Sequence, residues 1–372
     1  MKAKTYPGLE DVLGRELIRL GADDVETELE PGTVTFSGDK FLLYQANYEL
    51  RTALKIYKEV CSFDFAGKDE FYAQFKDYRW SKILNIYKSF RIEVICNSEV
   101  FGDDDDIKGA ITGIITDYFF AKSRKQPPHD TPNPAVVVVL EIKDHNCQFL
   151  LDSSGASLAH RGYKVSGSGI GYDEVYCAGL VQLSGWKSNT NFIDPACGIA
   201  TLPIEAAMYA YNIPSQICRE SFGFFTWRDF DEVLWKDVKD SGRLGVKHNG
   251  DFVHKIIGYV ADDTLCRSAN QNVKKAVLDK YVDIIKLPCD EIIAPESKST
   301  VMIVAPKIDS FNQDETKETL SNIAALAKRT FKENANVWIH TSYEDMPKAI
   351  GIQPSKVVEI TNGAEENKLA LY

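Results

Sequence analysis

The chain has 372 residues, 44% hydrophobic and 26% charged, which excludes a disordered or fibrous protein and suggests two or three globular domains. Its formal net charge of −11 argues against tight non-specific binding of nucleic acid by the surface as a whole. No apolar run approaches the ~18–20 residues of a membrane span, the N-terminus lacks a signal core, and the eight cysteines form no C-x-x-C pair, so a cytoplasmic protein without disulfides, zinc or a membrane partner is expected.

The first block covers residues 1–62. "PGLEDVLGRELIRLGA" puts Leu9, Val12, Leu13, Leu17, Ile18 and Leu20 at helical spacing, and Gly21 ends that helix. "TVTFSGD" alternates as a strand does. "KFLLYQANYELRTALKIY" predicts a second helix, so this block is a small α+β unit. The second block covers 63–158. "FRIEVICN" predicts a strand and "DDDDIKGAITGIITDYFFAKS" an amphipathic helix, whose acids suit its N-terminus. A proline-rich loop, "KQPPHDTPNP", follows. "AVVVVLEI" and "CQFLLDSS" then form a β-hairpin turning at 143–146.

The third block covers 159–372. "DEVYCAGLVQLSGW" is a helix, "NFID" a short strand, and "TLPIEAAMYAYNI" a helix apolar nearly all round and therefore buried. Strands at "KIIGYVA", "YVDIIKL", "TVMIVAP" and "NVWIHTS" alternate with helices at "TLCRSANQNVKKAVL" and "ETKETLSNIAALAKRTFK", the signature of a parallel α/β sheet. "KVVEITNGAEENKLALY" differs. Its Asn362-Gly363 pair predicts a type I′ hairpin, so the sheet ends antiparallel.

A parallel sheet opening with "DPACG" and closing with a hairpin resembles a Rossmann-like class I S-adenosylmethionine (SAM)-dependent methyltransferase. "PGLEDVLGREL", "LRTALKIY", "LDSSGASLAHRGYK", "CAGLVQLSGW", "DPACGIATLPIEAAM", "FGFFTWRDFDEVLW" and "KAIGIQPSKVVEITNG" narrow this. Together they resemble the THUMP-domain RNA methyltransferases, and among them those that modify an exocyclic guanine amine of large-subunit ribosomal RNA. The resemblance is collinear along nearly the whole chain. It implies a ferredoxin-like unit over 1–62, an RNA-binding THUMP domain over 63–158 and a methyltransferase domain over 159–372. It also implies SAM as cofactor and ribosomal or other structured RNA as partner.

Within the resemblance, Asp194, Pro195, Cys197, Gly198 and Thr201 match the family's D-P-x-C-G-S-G-T cofactor loop, and Thr201 would cap the next helix. Ile199 and Ala200 depart from it. Ala200 carries a methyl group where glycine allows close approach and a positive φ. The loop then reads either as a weakened cofactor site or as a retained strand–turn–helix corner. The family's ribose-binding acid aligns with Val260. Asp262 stands either as a displaced ribose acceptor or, like Asp263, as a helix cap. Leu287-Pro288 replace the adenine-contacting pair, with Asp290 nearby.

The loop that orients the target amine is Asn/Asp-Pro-Pro-Tyr in the family. Here it is Ala305-Pro306-Lys307-Ile308, which keeps Pro306 but lacks the acceptor and the stacking ring. Lys122, Arg124 and Lys125 are the candidate phosphate contacts, whereas the aspartates at 103–106 would repel phosphate. His160-Arg161-Gly162-Tyr163 keeps the family pattern at the entry to the third block. The implied function is therefore that of an RNA methyltransferase family member whose motifs speak against efficient chemistry. The alternatives are a silent RNA- or ribosome-binding relative and an acidic protein-interaction scaffold.

Overall fold

The computed structural model describes the chain except residues 29, 130, 166–170, 248–251, 294, 306–320, 329–334 and 364. In chain order the N-terminal half contains β1 (Lys2–Lys4), α1 (Glu10–Arg19), β2 (Asp23–Thr27), β3 (Thr33–Ser37), α2 (Lys40–Glu49), β4 (Lys55–Asp64), α3 (Lys68–Asp77), β5 (Phe90–Asn97), α4 (Asp104–Ser123), β6 (Val136–Lys143) and β7 (Asn146–Asp152). These strands form one seven-stranded sheet in the order β2-β3-β1-β4-β7-β6-β5. The boundary expected at 62/63 falls inside β4. That strand pairs with β1 on one side and β7 on the other, so the first two blocks share a continuous sheet.

Two expectations change here. The helical pattern read through Tyr57 stops at Leu50, whose backbone is extended. The Glu16 carboxylate accepts the Arg51 and Thr52 N–H groups, and the chain turns into β4, where Ile56 pairs with Ala3. The strand β2 and helix α3 were not read from the sequence. β2 is almost entirely exposed, so it carries no alternating apolar signal.

The second half contains α5 (Glu174–Leu183), β8 (Asn191–Asp194), α6 (Thr201–Ala210), α7 (Glu232–Leu244), β9 (Ile256–Val260), α8 (Asp263–Lys275), β10 (Val282–Lys286), β11 (Ser299–Val304), α9 (321–328), β12 (Ala335–Thr341), α10 (Met346–Ile350), β13 (Lys356–Asn362) and β14 (Glu365–Leu371). Its sheet has the order β10-β9-β8-β11-β12-β14-β13. The first five strands are parallel and β14 is antiparallel to both neighbours, as the sequence predicts. The turn is shifted by one residue. Asn362 pairs with Glu365 and stays in the strand, so the turn begins at Gly363, which takes φ +64°. One face of the sheet packs on α5, α6 and α8, the other on α9 and α10. Helix α6 is buried along nearly its whole length, as its composition requires.

Two connections lock the halves together. Pro7 and Gly8 lie on β13: the Thr361 N–H donates to the Pro7 carbonyl, and a Cβ on Gly8 would stand 2.5 Å from the Glu359 oxygen. Only glycine fits there. Conversely, residues 222–244 leave the second half and pack on α2. Phe224 stacks on Tyr44 at 4.2 Å, and Trp235 meets Tyr48 edge-on at 5.4 Å. The motif "FGFFTWRDFDEVLW" is thus a strap whose aromatic residues complete the first core.

Candidate functional site

The carboxyl ends of β8, β9, β10 and β11 converge where an open α/β sheet holds ligands. Asp194 closes β8 and is buried. Its Oδ1 accepts the Ala196 N–H at 3.1 Å, and burial pushes its pKa up to about 7. Pro195 follows. The Cys197 N–H donates to the Tyr259 carbonyl at 2.9 Å, which ties the loop to β9. Burial, then the neighbouring Asp194 charge, raises the Cys197 thiol far above its ordinary range, so it is an inert thiol. A Cβ on Gly258 would come within 2.8 Å of its sulfur.

Gly198 and Ala200 both adopt positive φ, +52° and +66°. The turn therefore keeps the left-handed geometry for which glycine is suited, with Ala200 bearing the strain. The expectation for Thr201 is corrected. Ala200 occupies the N-cap position of α6, and Thr201 is the first helical residue, buried, with no side-chain cap. Ile199 points into protein and is itself buried. Its carbonyl accepts Asn272 Nδ2 at 3.0 Å, while Asn272 Oδ1 accepts the Val165 N–H at 2.9 Å. One buried amide on α8 thus clamps the loop and the segment entering this half.

Val260 ends β9 and is buried, with no polar side-chain atom to offer. Asp262 caps α8: its Oδ1 accepts the Leu265 N–H at 2.8 Å, so of the two roles read for it the structure displays the cap. Asp263 instead pairs with Lys286 at 2.7 Å across the β9–β10 edge. That partner lowers the Asp263 pKa and is itself raised in turn. Leu287 continues from β10, its N–H on the Val260 carbonyl, and Asp290 lies in the short 3-10 turn beyond Pro288. Ala305 leaves β11 buried, its N–H on the His340 carbonyl at 2.9 Å. Pro306, Lys307 and Ile308 lie outside the described residues.

Two buried polar groups lie beside this rim; the sequence pattern pointed to Arg161 and Tyr163 at the entry to this half, while His340, Glu205 and Asn272 were missed. His340 on β12 hydrogen-bonds Tyr176 Oη through Nε2 at 2.8 Å, and Nδ1 has no partner among the described residues. Burial pushes its pKa down to about 3, so the ring is neutral. Tyr172 stacks on Tyr176 at 4.6 Å. The second group lies under α6. Arg161 Nε stands 3.1 Å from Glu205 Oε1, which also accepts Tyr163 Oη at 2.9 Å, and Arg161 and Glu205 are fully buried. Arg161 Nη2 reaches the Arg51 carbonyl, and Arg51 Nη2 the Ile213 carbonyl. A lone His in "VWIHT" and a lone Glu in "LPIEAAM" were the available signals.

Lys122, Arg124 and Lys125 are all exposed at the far end of α4, on the other half of the molecule from this rim. Lys122 Nζ sits 3.8 Å over the Tyr118 ring, and Arg124 is a left-handed C-cap. At the opposite end Asp103 caps the helix through the Asp105 N–H. The aspartate run therefore has a structural role at the helix start.

Among known proteins, a family model described as "RMKL-like, methyltransferase domain" matches residues 161–370, and one described as "RlmL ferredoxin-like domain" matches 1–57. The chain is 27% identical over 362 residues to the ribosomal RNA large subunit methyltransferase K/L of Desulfotalea psychrophila. The alignment covers 96% of this chain and 50% of that one, so the chain spans about half the length of that relative. Two solved structures share the fold over 100% of this chain and 97% of theirs, each at 22% identity. One is a possible methylase from Clostridium difficile 630, at a TM-score of 0.87; the other is SMU.472, complexed with S-adenosylhomocysteine (SAH), at 0.84.

Proposed function

The chain belongs to the RMKL-like methyltransferase family, and from that premise we propose that it is an RNA-binding member that holds SAM weakly and does not efficiently methylate an exocyclic amine. Support for a SAM site comes from the family, from the SAH complex of a fold relative, and from the loop itself. The residues present fit one end of such a ligand. Asp194 is a buried carboxylate that, among the described residues, accepts one hydrogen bond and has no cation beside it, which suits it to an ammonium. Gly198 and Ala200 hold the turn open by their positive φ. Among the described residues the ribose end has no match, because Val260 offers no acceptor, Asp262 caps α8 and Asp263 pairs with Lys286.

The observation that carries the proposal is the apolar pair Val260 and Ala305, buried at the two exits where family members place acceptors. Loss of one positioned group typically lowers a rate by ~10²–10³. Loss of a ribose acceptor leaves two hydroxyls without the charged partner worth about 1.5–3 kcal/mol per bond. The RNA partner is inferred from the family and from the named activity of the K/L relative, with residues 63–158 as the THUMP-type unit that would dock it.

Calorimetric titration with SAM and tritium transfer to unmodified ribosomal RNA test the proposal together. Heat only above ~100 μM SAM, with no transfer beyond background, is the expected result. A low-micromolar affinity with normal turnover overturns it and makes the protein a working methyltransferase.

A further inference from the structure

Outside that site, one surface brings cations from three separate elements around a half-buried ring and an exposed one. Its hub is Ser81, in the 3-10 turn Trp80–Lys82. Ser81 Oγ bonds Tyr118 Oη of α4 at 3.0 Å, and the Ser81 carbonyl accepts Arg228 Nη1 from the strap. These bonds fix Lys82, Lys122 and Arg228, all exposed, around one point. Lys122 lies on the Tyr118 ring, a cation–π geometry that keeps its charge on the surface.

The next loop adds an aromatic platform. Asn85 Oδ1 accepts the Tyr87 and Lys88 N–H groups at 2.9 and 3.0 Å, and this turn holds Tyr87 outward. Tyr87 is 81% exposed, the most exposed large aromatic ring among the described residues. Lys88 is bonded to the Thr226 carbonyl, so the loop is pinned to the strap as well. Nearby acids do little to cancel the charge. Asp229 is 3.4 Å from both Lys40 and Lys58, and the aspartate run lies about 25 Å from Lys122 along the helix.

Cations spaced around a fixed ring, beside a second ring presented to solvent, are what an unpaired nucleic-acid strand needs: charges for phosphates and π-faces for bases. A protein partner would favour a buried apolar centre, which this surface lacks. We propose that the Ser81-centred surface binds a single-stranded RNA segment, with Lys82, Lys122 and Arg228 on phosphates and Tyr87 stacked on a base. The proposal rests on the RNA-binding reading above and adds a location and a class of RNA. It also gives the strap a second role, since Arg228 makes the surface composite between the two halves.

The test uses the full chain and a labelled 12-nucleotide oligo(U), read by fluorescence anisotropy at two salt concentrations, with a folded large-subunit ribosomal RNA fragment in parallel. Lys122→Glu with Arg228→Glu is expected to weaken oligo(U) binding at least tenfold and to flatten the salt dependence by about 1.4 in slope. Tyr87→Ala is expected to weaken it about tenfold without changing the slope. Lys143→Glu, a cation elsewhere on the same sheet, is the control and should leave binding unchanged. Wild-type-like binding by all variants overturns the surface while leaving RNA binding standing. Failure of the wild type to bind either RNA overturns both. Variants that lose binding to intact ribosomal particles but keep oligo(U) binding would assign the surface to a protein, and likewise overturn it.

Discussion

The junction beneath α6 and the rim above it meet at α6, where Ala200 stands on the rim and Glu205 in the junction, and they differ in what holds them. Beneath, Arg161, Tyr163 and Glu205 hold one another and are joined to Arg51, which with Thr52 is held by Glu16. Above, Ala200, Val260 and Ala305 stand where the resemblance implies a glycine, a ribose acid and an amine acceptor. Burial separates the two. A charge inside the junction cannot lose its partner without unfolding cost, whereas a ligand acceptor on the rim contributes nothing to the fold.

The largest expected effect falls on the junction. Glu205→Ala removes the counter-charge of fully buried Arg161 and leaves Tyr163 Oη without its acceptor. Breaking such a pair typically costs about 3–5 kcal/mol, read by urea denaturation. Replacing both partners with methionine should lose less than either single change, because no charge is stranded. A single-variant loss below about 1 kcal/mol would show that the junction does not hold the halves together.

Next comes the rim. If Val260 explains weak SAM binding, Val260→Asp should tighten it by tenfold or more, about 1.4 kcal/mol, through the two ribose hydroxyls. Stability should fall modestly, since a carboxylate enters a buried position. Unchanged SAM affinity in a folded variant would mean that the ribose end is not what limits binding.

The two regions also differed in how far the sequence revealed them. The parallel strands, the closing hairpin and the buried α6 all announce themselves by periodicity and composition, because the sheet and its helices are patterned locally. The loop residues 194–201 were found from the motif, yet their geometry was not: Ala200 rather than Thr201 takes the cap position, since the turn needs two left-handed residues before the helix starts. The merging of the first two blocks into one sheet was illegible, because β4 is continuous through the expected boundary and pairing across 90 residues leaves no local mark. His340 and Asn272 were missed for the same reason. Each is a single polar residue whose partners, Tyr176 and the Ile199 carbonyl, come from elsewhere in the chain.

A subtler contrast concerns protonation at the rim itself. Burial raises the folded-state pKa of Asp194 to about 7, above its ordinary 3.8, with the Ala196 N–H opposing. Between these values the folded chain binds more protons than the unfolded one, so this group's contribution to stability falls as pH rises from about 4 to 7. Asp194→Asn removes the titration while keeping the shape. Relative to wild type, the variant should therefore be more stable at pH 8 than at pH 5, by denaturation at both pH values. A difference independent of pH would place a compensating cation beside Asp194.

The smallest expected effect isolates the cost of the altered turn. Ala200 sits at φ +66° and ψ +24°, fully buried, where an L-residue is disfavoured by about 1–2 kcal/mol. Ala200→Gly relieves that strain but adds freedom to the unfolded chain, worth about 0.5–1 kcal/mol in the opposite direction. It also removes a methyl group from a well-packed corner. The net stability change should be within about 0.5 kcal/mol of zero, while the vacated Cβ position gives a ligand backbone-level access to the turn. SAM affinity should thus rise without a matching gain in stability. A gain in stability alone would show that the alanine strains the fold and leaves the ligand indifferent, so that the rim's loss rests on Val260 and Ala305.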